Sequence, residues 1–340
     1  MTIQKSSVEA AQPAAGVQRE STLRRIARSS PILQVLSVIL LLLACGITIS
    51  GFFSKSSLVT TLILASFLGI AAAGETLVIL IGGIDLSVPS VISGANLVVT
   101  LLAGKHWSFP LAVLFVLVCA AGVGVINGFV THRFRAPPLI VTLATGAIVT
   151  GLTLGWTRGG QVSGSPPGWL TRFSAPIGTT FGIPIPAVIV LWALTAVVLG
   201  LVLHLMVSGR RLYATGANER AAELAGVRTE RIWVGSFTVS AVASAVVGIV
   251  LVGFTGQGEA GVGSPYLFLA LAAVLVGGTS LVGARGDYWR TVLGALIMTL
   301  VTTILVGHGA GEALQEILTG VLILLFVGLY GREKRVRDRV

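Results

Sequence analysis

The chain has 340 residues, 54% of them hydrophobic and 11% charged, with a formal net charge of +10. Soluble domains carry roughly 25% charged residues, so this composition cannot cover a water-facing surface, and it places the protein in a lipid bilayer. The positive balance does not point to nucleic acid, because the basic residues lie between apolar runs and mostly on one side, as membrane orientation requires.

Residues 1–30 are polar, rich in Ala, Ser and Gln, and close on Arg24, Arg25 and Arg28. They read as a disordered cytoplasmic tail. The run from Ile32 to Phe52 is too long for a signal peptide core and no cleavage site follows it, so it reads as an anchor span. Ten spans follow from the apolar runs: 32–52, 58–81, 86–104, 108–131, 139–157, 185–207, 232–254, 266–284, 288–307 and 313–330. Each approximates the length that crosses a core of roughly 30 Å at about 1.5 Å per residue. Alternating the sides puts Lys55, Lys105, Arg158 and Arg172 outside and the other 19 of the 23 basic residues inside. The expected protein is therefore all-α and polytopic, with about ten transmembrane helices and both termini cytoplasmic. Its membrane domain covers 31–330, with an outer loop at 158–184, an inner loop at 208–231 and a basic inner tail at 331–340.

Trp107, Trp156, Trp233 and Trp289 fall at span ends, where amphipathic rings favour the interface, and Trp192 lies deeper. Gly124 and Gly128, and likewise Gly151 and Gly155, have the spacing of close helix packing. Cys45 and Cys119 fall inside apolar runs and read as small buried hydrophobes. The four histidines show no metal-ligand spacing and read as helix-end or interfacial residues, so no metal is expected.

No GxSxG, HExxH or Walker A sequence occurs, and no acid pair with a nucleophile. Energy for any active process must come from an ion gradient or a partner. Glu75 is the one acid well inside a span, which suits either a structural role facing the protein interior or a place in a wet path. The stretch LIGGIDLSVPS, Leu80–Ser90, sets Asp85 between helix breakers. Gly82 and Gly83 end one span and Pro89 suits the first turn of the next. Asp85 and Ser87 are then placed to cap the new helix start. Two readings stay open: a structural corner, or a gate in which non-helical backbone lines the solute path. A similar stretch, VLVGGTSLV at 274–282, repeats the break with Gly277, Gly278 and Ser280, so the two could flank one pathway.

In the inner loop, Asn218 is a good N-cap with Glu219 in the first turn behind it. Ala221, Ala222, Leu224 and Ala225 give an apolar face, and Gly226 suits a C-terminal stop. A short amphipathic helix here reads as a docking element for a soluble partner, or as a helix lying on membrane lipid.

Three stretches in order, GETLVILIGGIDLSV (74–88), LYATGANERAAELAGV (212–227) and LAAVLVGGTSLVGARG (271–286), resemble ribose-type ABC transporter permeases, over about residues 31–330. The resemblance implies an importer subunit for a monosaccharide or small polyol. It implies a cytoplasmic ATPase subunit, an extracytoplasmic sugar-binding protein and a second permease copy or paralogue. No cofactor is expected in this chain, ATP being bound by the partner ATPase. The resemblance places Gly216, Asn218, Glu219, Ala221, Ala222 and Gly226 in the coupling helix that contacts the ATPase. Glu75, Gly82, Gly83, Asp85, Ser87, Gly277, Gly278 and Ser280 are the pathway or gate candidates. Pro89 stands where such permeases usually have Gly, and GARGDYW replaces their commoner Gly-Gly-Lys-Gly. Nucleosides, inositols, autoinducer-like furanoses and branched-chain amino acids remain open as substrates. A secondary transporter, and an intramembrane enzyme or receptor, are the rival classes; few membrane acids count against the first and the lack of paired catalytic groups against the second.

Overall fold

A computed structural model describes residues 31–330 apart from 160, 163, 165 and 181, so the predicted tails at 1–30 and 331–340 lie outside the described residues. Helices α1 (Ile32–Thr48), α2 (Lys55–Leu80), α3 (Val88–Gly104), α4 (Phe109–Phe134) and α5 (Pro138–Thr157) come first. Short α6 (Gly168–Ser174) precedes α7 (Ala187–Leu205), α8 (Val207–Ala217) and α9 (Glu219–Leu224). The chain then runs through α10 (Thr229–Thr255), α11 (Tyr266–Val276), α12 (Tyr288–Gly307) and α13 (Glu312–Tyr330). Two-residue strands β1 (Gln161–Val162) and β2 (Gly258–Glu259) pair antiparallel, with Gln161 opposite Glu259.

The protein is thus an all-α membrane protein, with a helix on each of the ten predicted ranges. Among the described residues, α2, α4, α5, α7, α10 and α12 are long and apolar enough to cross a membrane. The structure departs from expectation at three places. The run 266–284 is not one helix: α11 stops at Val276, because Gly278 takes φ +91° and turns the chain. The first half of the 208–231 loop is not loop but α8, which leaves α7 through an extended corner at Met206. The 158–184 loop contains α6 and β1 rather than irregular chain alone.

The core is organised by α2, in which every residue from Ala65 to Leu80 is buried. Its sequence there is mostly small or aliphatic, so neighbours approach its backbone on all sides; a Cβ on Gly74 would overlap Ser240 of α10. In lipid, such backbone approach replaces hydrophobic burial as the packing force. Gly124 and Gly128 serve this role against α10, with a Cβ on Gly128 falling 2.5 Å from the Val234 Cα. Gly151 and Gly155 do not: nothing of the chain comes within 4 Å of a Cβ there. Cys45 is buried as expected, whereas Cys119 is exposed on the outer face of α4. Trp107, Trp156 and Trp289 stay exposed near helix ends, but Trp233 is buried and hydrogen-bonded inside the protein.

Gly128→Ile is expected to destabilise the chain by about 1–3 kcal/mol or more through overpacking against α10. Gly151→Ala is expected to stay within about 0.5 kcal/mol of the parent. Thermal unfolding of the detergent-solubilised proteins separates the two; equal midpoints would show that the α4–α10 approach is not tight.

Candidate functional site

The break after α2 begins where Gly82, with φ +84°, turns the chain back. The N–H of Gly82 donates to Ile79 O at 2.9 Å and that of Gly83 to Val78 O at 2.9 Å, which closes the helix end. The chain then climbs back beside α2 until Asp85 N meets Glu75 Oε1 at 3.3 Å. Leu86 N donates to Thr142 Oγ1 of α5 at 3.0 Å, and Ser87 N to Asp85 Oδ1 at 3.0 Å. Ser87 Oγ donates to Asp85 Oδ1 at 2.5 Å and accepts from Asn127 Nδ2 of α4 at 3.0 Å. Thr145 Oγ1 of α5 donates to Asn127 Oδ1 at 2.6 Å.

Asn127 lies seven residues before the end of α4, which places the break about 10 Å inside that end at 1.5 Å per residue. Backbone at such depth needs protein partners for its donors, and polar side chains from α2, α4 and α5 supply them. Glu75 and Asp85 are each 2% exposed. Three buried polar atoms here make no hydrogen bond to the protein: Glu75 Oε2, Asp85 Oδ2 and Ser240 Oγ.

The capping expected of Asp85 and Ser87 is corrected in its detail. Asp85 binds Ser87, ahead of α3, and Ser87, the N-cap residue, makes no side-chain cap bond. The Ser87 hydroxyl is taken by Asp85 and Asn127, and Pro89 leaves one donor fewer to satisfy.

The second break follows α11. Gly278 N donates to Leu275 O at 2.8 Å and Thr279 N to Val274 O at 3.2 Å, the pattern seen after α2. The geometry therefore pairs Gly82 with Gly278, one position off the pairing of the two aligned sequence stretches. Ser280 N reaches Arg285 O at 2.8 Å, and Ser280 Oγ accepts from Val282 N at 3.3 Å, which folds the segment into a compact loop. Gly277 packs against Arg290 and Thr291 of α12. The two breaks touch: Ala284 N donates to Leu80 O at 2.8 Å.

The inner loop ends against this junction. Asn218 Oδ1 accepts from Ala221 N at 3.1 Å, capping α9, and Gly226, with φ +81°, ends it as expected. Glu219 Oε1 accepts from Trp233 Nε1 at 2.9 Å and lies 3.4 Å from His132 Nε2. The same His132 nitrogen is 2.9 Å from Thr229 Oγ1, which donates to Glu223 Oε1 at 3.1 Å. α9 is thereby fastened to the end of α4 and the start of α10. The ligand atoms of His132, Glu219 and Glu223 lie within 4.8 Å of one another, a grouping invisible in the sequence, where 87 residues separate the histidine from the first glutamate. A groove of about 680 Å³ opens beside them, lined by Arg133, Arg135, Asn218, Arg220 and Glu230 among others.

The predicted contact residues divide. Asn218 and Ala221 are exposed and Glu219 is partly so, as is required of a docking surface. Ala222, at 4% exposure, points inward, and Gly216 packs on the Leu80 carbonyl. Leu224, placed on the apolar face by the sequence, is 82% exposed at the tip. The sequence reading also passed over Asn127, Thr142, Thr145, Tyr213 and Ser240. A usable signal existed for Asn127: an amide within an apolar span has to find a partner there.

The family described as "Branched-chain amino acid transport system / permease component" matches residues 57–327. The ribose import permease protein RbsC of Bacillus subtilis is 32% identical over 299 residues, covering 88% of this chain and 92% of that protein. RbsC of Escherichia coli is 32% identical over 301 residues, covering 86% and 91%. The autoinducer 2 import system permease protein LsrC of Escherichia coli is 29% identical over 320 residues, covering 93% and 91%. No solved structure matches the chain. The chain belongs to this permease family and, within it, to the ribose-type ABC transporter permeases: a multi-pass plasma-membrane transport subunit, not an enzyme.

Proposed function

We propose that the protein is the membrane subunit of an ABC importer for a monosaccharide or related small polyol. Its chain crosses the membrane ten times with both termini in the cytoplasm, a reading supported by a helix on every predicted range and by the placement of basic residues. A separate ATPase drives it from the cytoplasm, an extracytoplasmic sugar-binding protein delivers the solute, and a second copy or paralogue completes the membrane part. The sugar class rests on likeness to the ribose permeases; likeness to LsrC keeps a furanose-type solute within that class.

The observation that carries the reading is α9. Its apolar tip, Leu224 with Ala221 and Ala225, is exposed and ringed by exposed Arg220, Arg228 and Glu230. An apolar centre with a charged rim is the anatomy of a protein interface, and the caps and anchors hold it in one pose before the partner arrives. The two joined breaks, with Glu75, Gly82, Gly83, Asp85, Ser87, Gly277, Gly278 and Ser280, form the inner gate region in this reading. Asp85 serves it as the structural centre of the corner.

Ala221→Arg is expected to abolish co-purification with the ATPase while leaving the permease folded, because the new side chain meets only the docking face. Ala222→Arg is instead expected to lower the unfolding midpoint, since its site is buried. Continued co-purification of Ala221→Arg would remove α9 from the docking role.

Asp85→Asn keeps the Oδ1 acceptor, so it is expected to fold normally and retain uptake. Asp85→Leu strands the Ser87 donors at about 1–3 kcal/mol for each buried group and is expected to lower the thermal midpoint. A folded Asp85→Asn protein without uptake would assign the carboxylate to the solute path instead.

A further inference from the structure

The link between α9 and the breaks is short and stiff. Asn218 is the residue after α8 and the N-cap of α9 at once: its N–H donates to Ala214 O at 3.1 Å while its side chain accepts from Ala221 N. No flexible linker separates the two helices, so displacement of α9 is carried into α8. Leu212 and Thr215 bury one side of α8, which fixes the face it presents inward.

That face meets both breaks. A Cβ on Gly216 would overlap the Leu80 carbonyl at the end of α2 and lie 2.9 Å from Ala284 N, so the two backbones touch with no side chain between them. One turn earlier, the Tyr213 hydroxyl donates to Gly286 O at 2.8 Å, at the far side of the second break. Burial, helped by Asp287 nearby, pushes the Tyr213 hydroxyl up to about 12, so it remains a donor at any cytoplasmic pH. Leu80 O, Ala284 N and Gly286 O all belong to backbone outside helices or at their ends, where a partner lost has to be replaced by another. Of these, Gly286 O is paired with α8 itself, while Leu80 O and Ala284 N are paired with each other directly under Gly216, so movement of α8 loads the Tyr213 bond and presses on the Leu80–Ala284 pair.

We infer that Tyr213 and Gly216 are positioning residues that pass the displacement of α9 to both helix breaks at once. This rests on the ATPase-docking reading of α9. Gly216 supplies steric contact with the α2 end, and Tyr213 a directional tether to the loop after α11. A single movement of α8 would then push one break and pull the other.

The test uses the full-length permease in complex with its ATPase, with Cys45 and Cys119 replaced by serine and Val282→Cys introduced in the second break, where the native side chain is 52% exposed. Maleimide labelling of this position is timed with and without ATP–vanadate trapping. The parent is expected to show a nucleotide-dependent change in labelling rate. Tyr213→Phe, which keeps the ring and removes only the hydroxyl, is expected to shrink that change about fivefold, the factor that one net hydrogen bond commands, with the ATPase still bound. An undiminished change in Tyr213→Phe, or no change in the parent with ATPase bound, overturns the inference. Loss of ATPase from Tyr213→Phe alone also overturns it, since the tyrosine would then serve docking. A parent that never retains the ATPase overturns the docking reading itself.

Discussion

Hydrocarbon offers no hydrogen bonds to an open helix end, and this membrane protein turns its chain at two such ends, after α2 and after α11. The backbone donors around them answer that constraint, while Glu75 Oε2, Asp85 Oδ2 and Ser240 Oγ bond to no protein atom. The N–H groups of Gly82, Gly83, Asp85, Leu86 and Ser87 find Ile79, Val78, Glu75, Thr142 and Asp85 in turn. Those after α11 find Val274, Leu275 and, through Ala284, the carbonyl of Leu80. The corner can exist only because α4 and α5 carry Asn127, Thr142 and Thr145 at the matching depth, in spans otherwise apolar. Asp85 is thus explained first by what it accepts, and only then by its charge.

The same constraint explains why the breaks lie together. A backbone carbonyl left by one helix end is the cheapest partner for an N–H left by another, and Leu80 with Ala284 is that exchange. Bringing them into contact demands that α2 be flanked closely, which its small residues allow, and that α8 approach without a side chain, which Gly216 allows. Satisfied polar groups and close backbone packing are here one design.

At α9 the logic reverses. α9 is six residues long, far below the length at which an isolated helix persists. Caps at Asn218 and Gly226 and the Glu219 and Glu223 anchors keep it formed, and they leave its apolar tip outward. A rigid, exposed, apolar point joined by one residue to α8, which packs on both breaks, is the arrangement a transport subunit needs if a separate motor is to act on it.

Much of this was legible in the residues alone. Apolar run lengths predicted where helices would lie, because a bilayer imposes one length on every crossing. Gly82, Gly278 and Gly226 marked turns, since left-handed backbone is local and glycine supplies it locally. Asn218 marked a helix start for the same reason: a cap bond spans three residues. The structure alone decided which of those residues face outward. Ala222 and Gly216 turned inward and Leu224 outward, because facing is set by where α4, α8 and α10 stand and no neighbouring residue encodes it. Likewise His132 with Glu219, Tyr213 with Gly286 and Leu80 with Ala284 are contacts between distant segments. Sequence specifies what each group can bond to within its own turn of helix; only the packing of whole helices brings the remaining partners within reach.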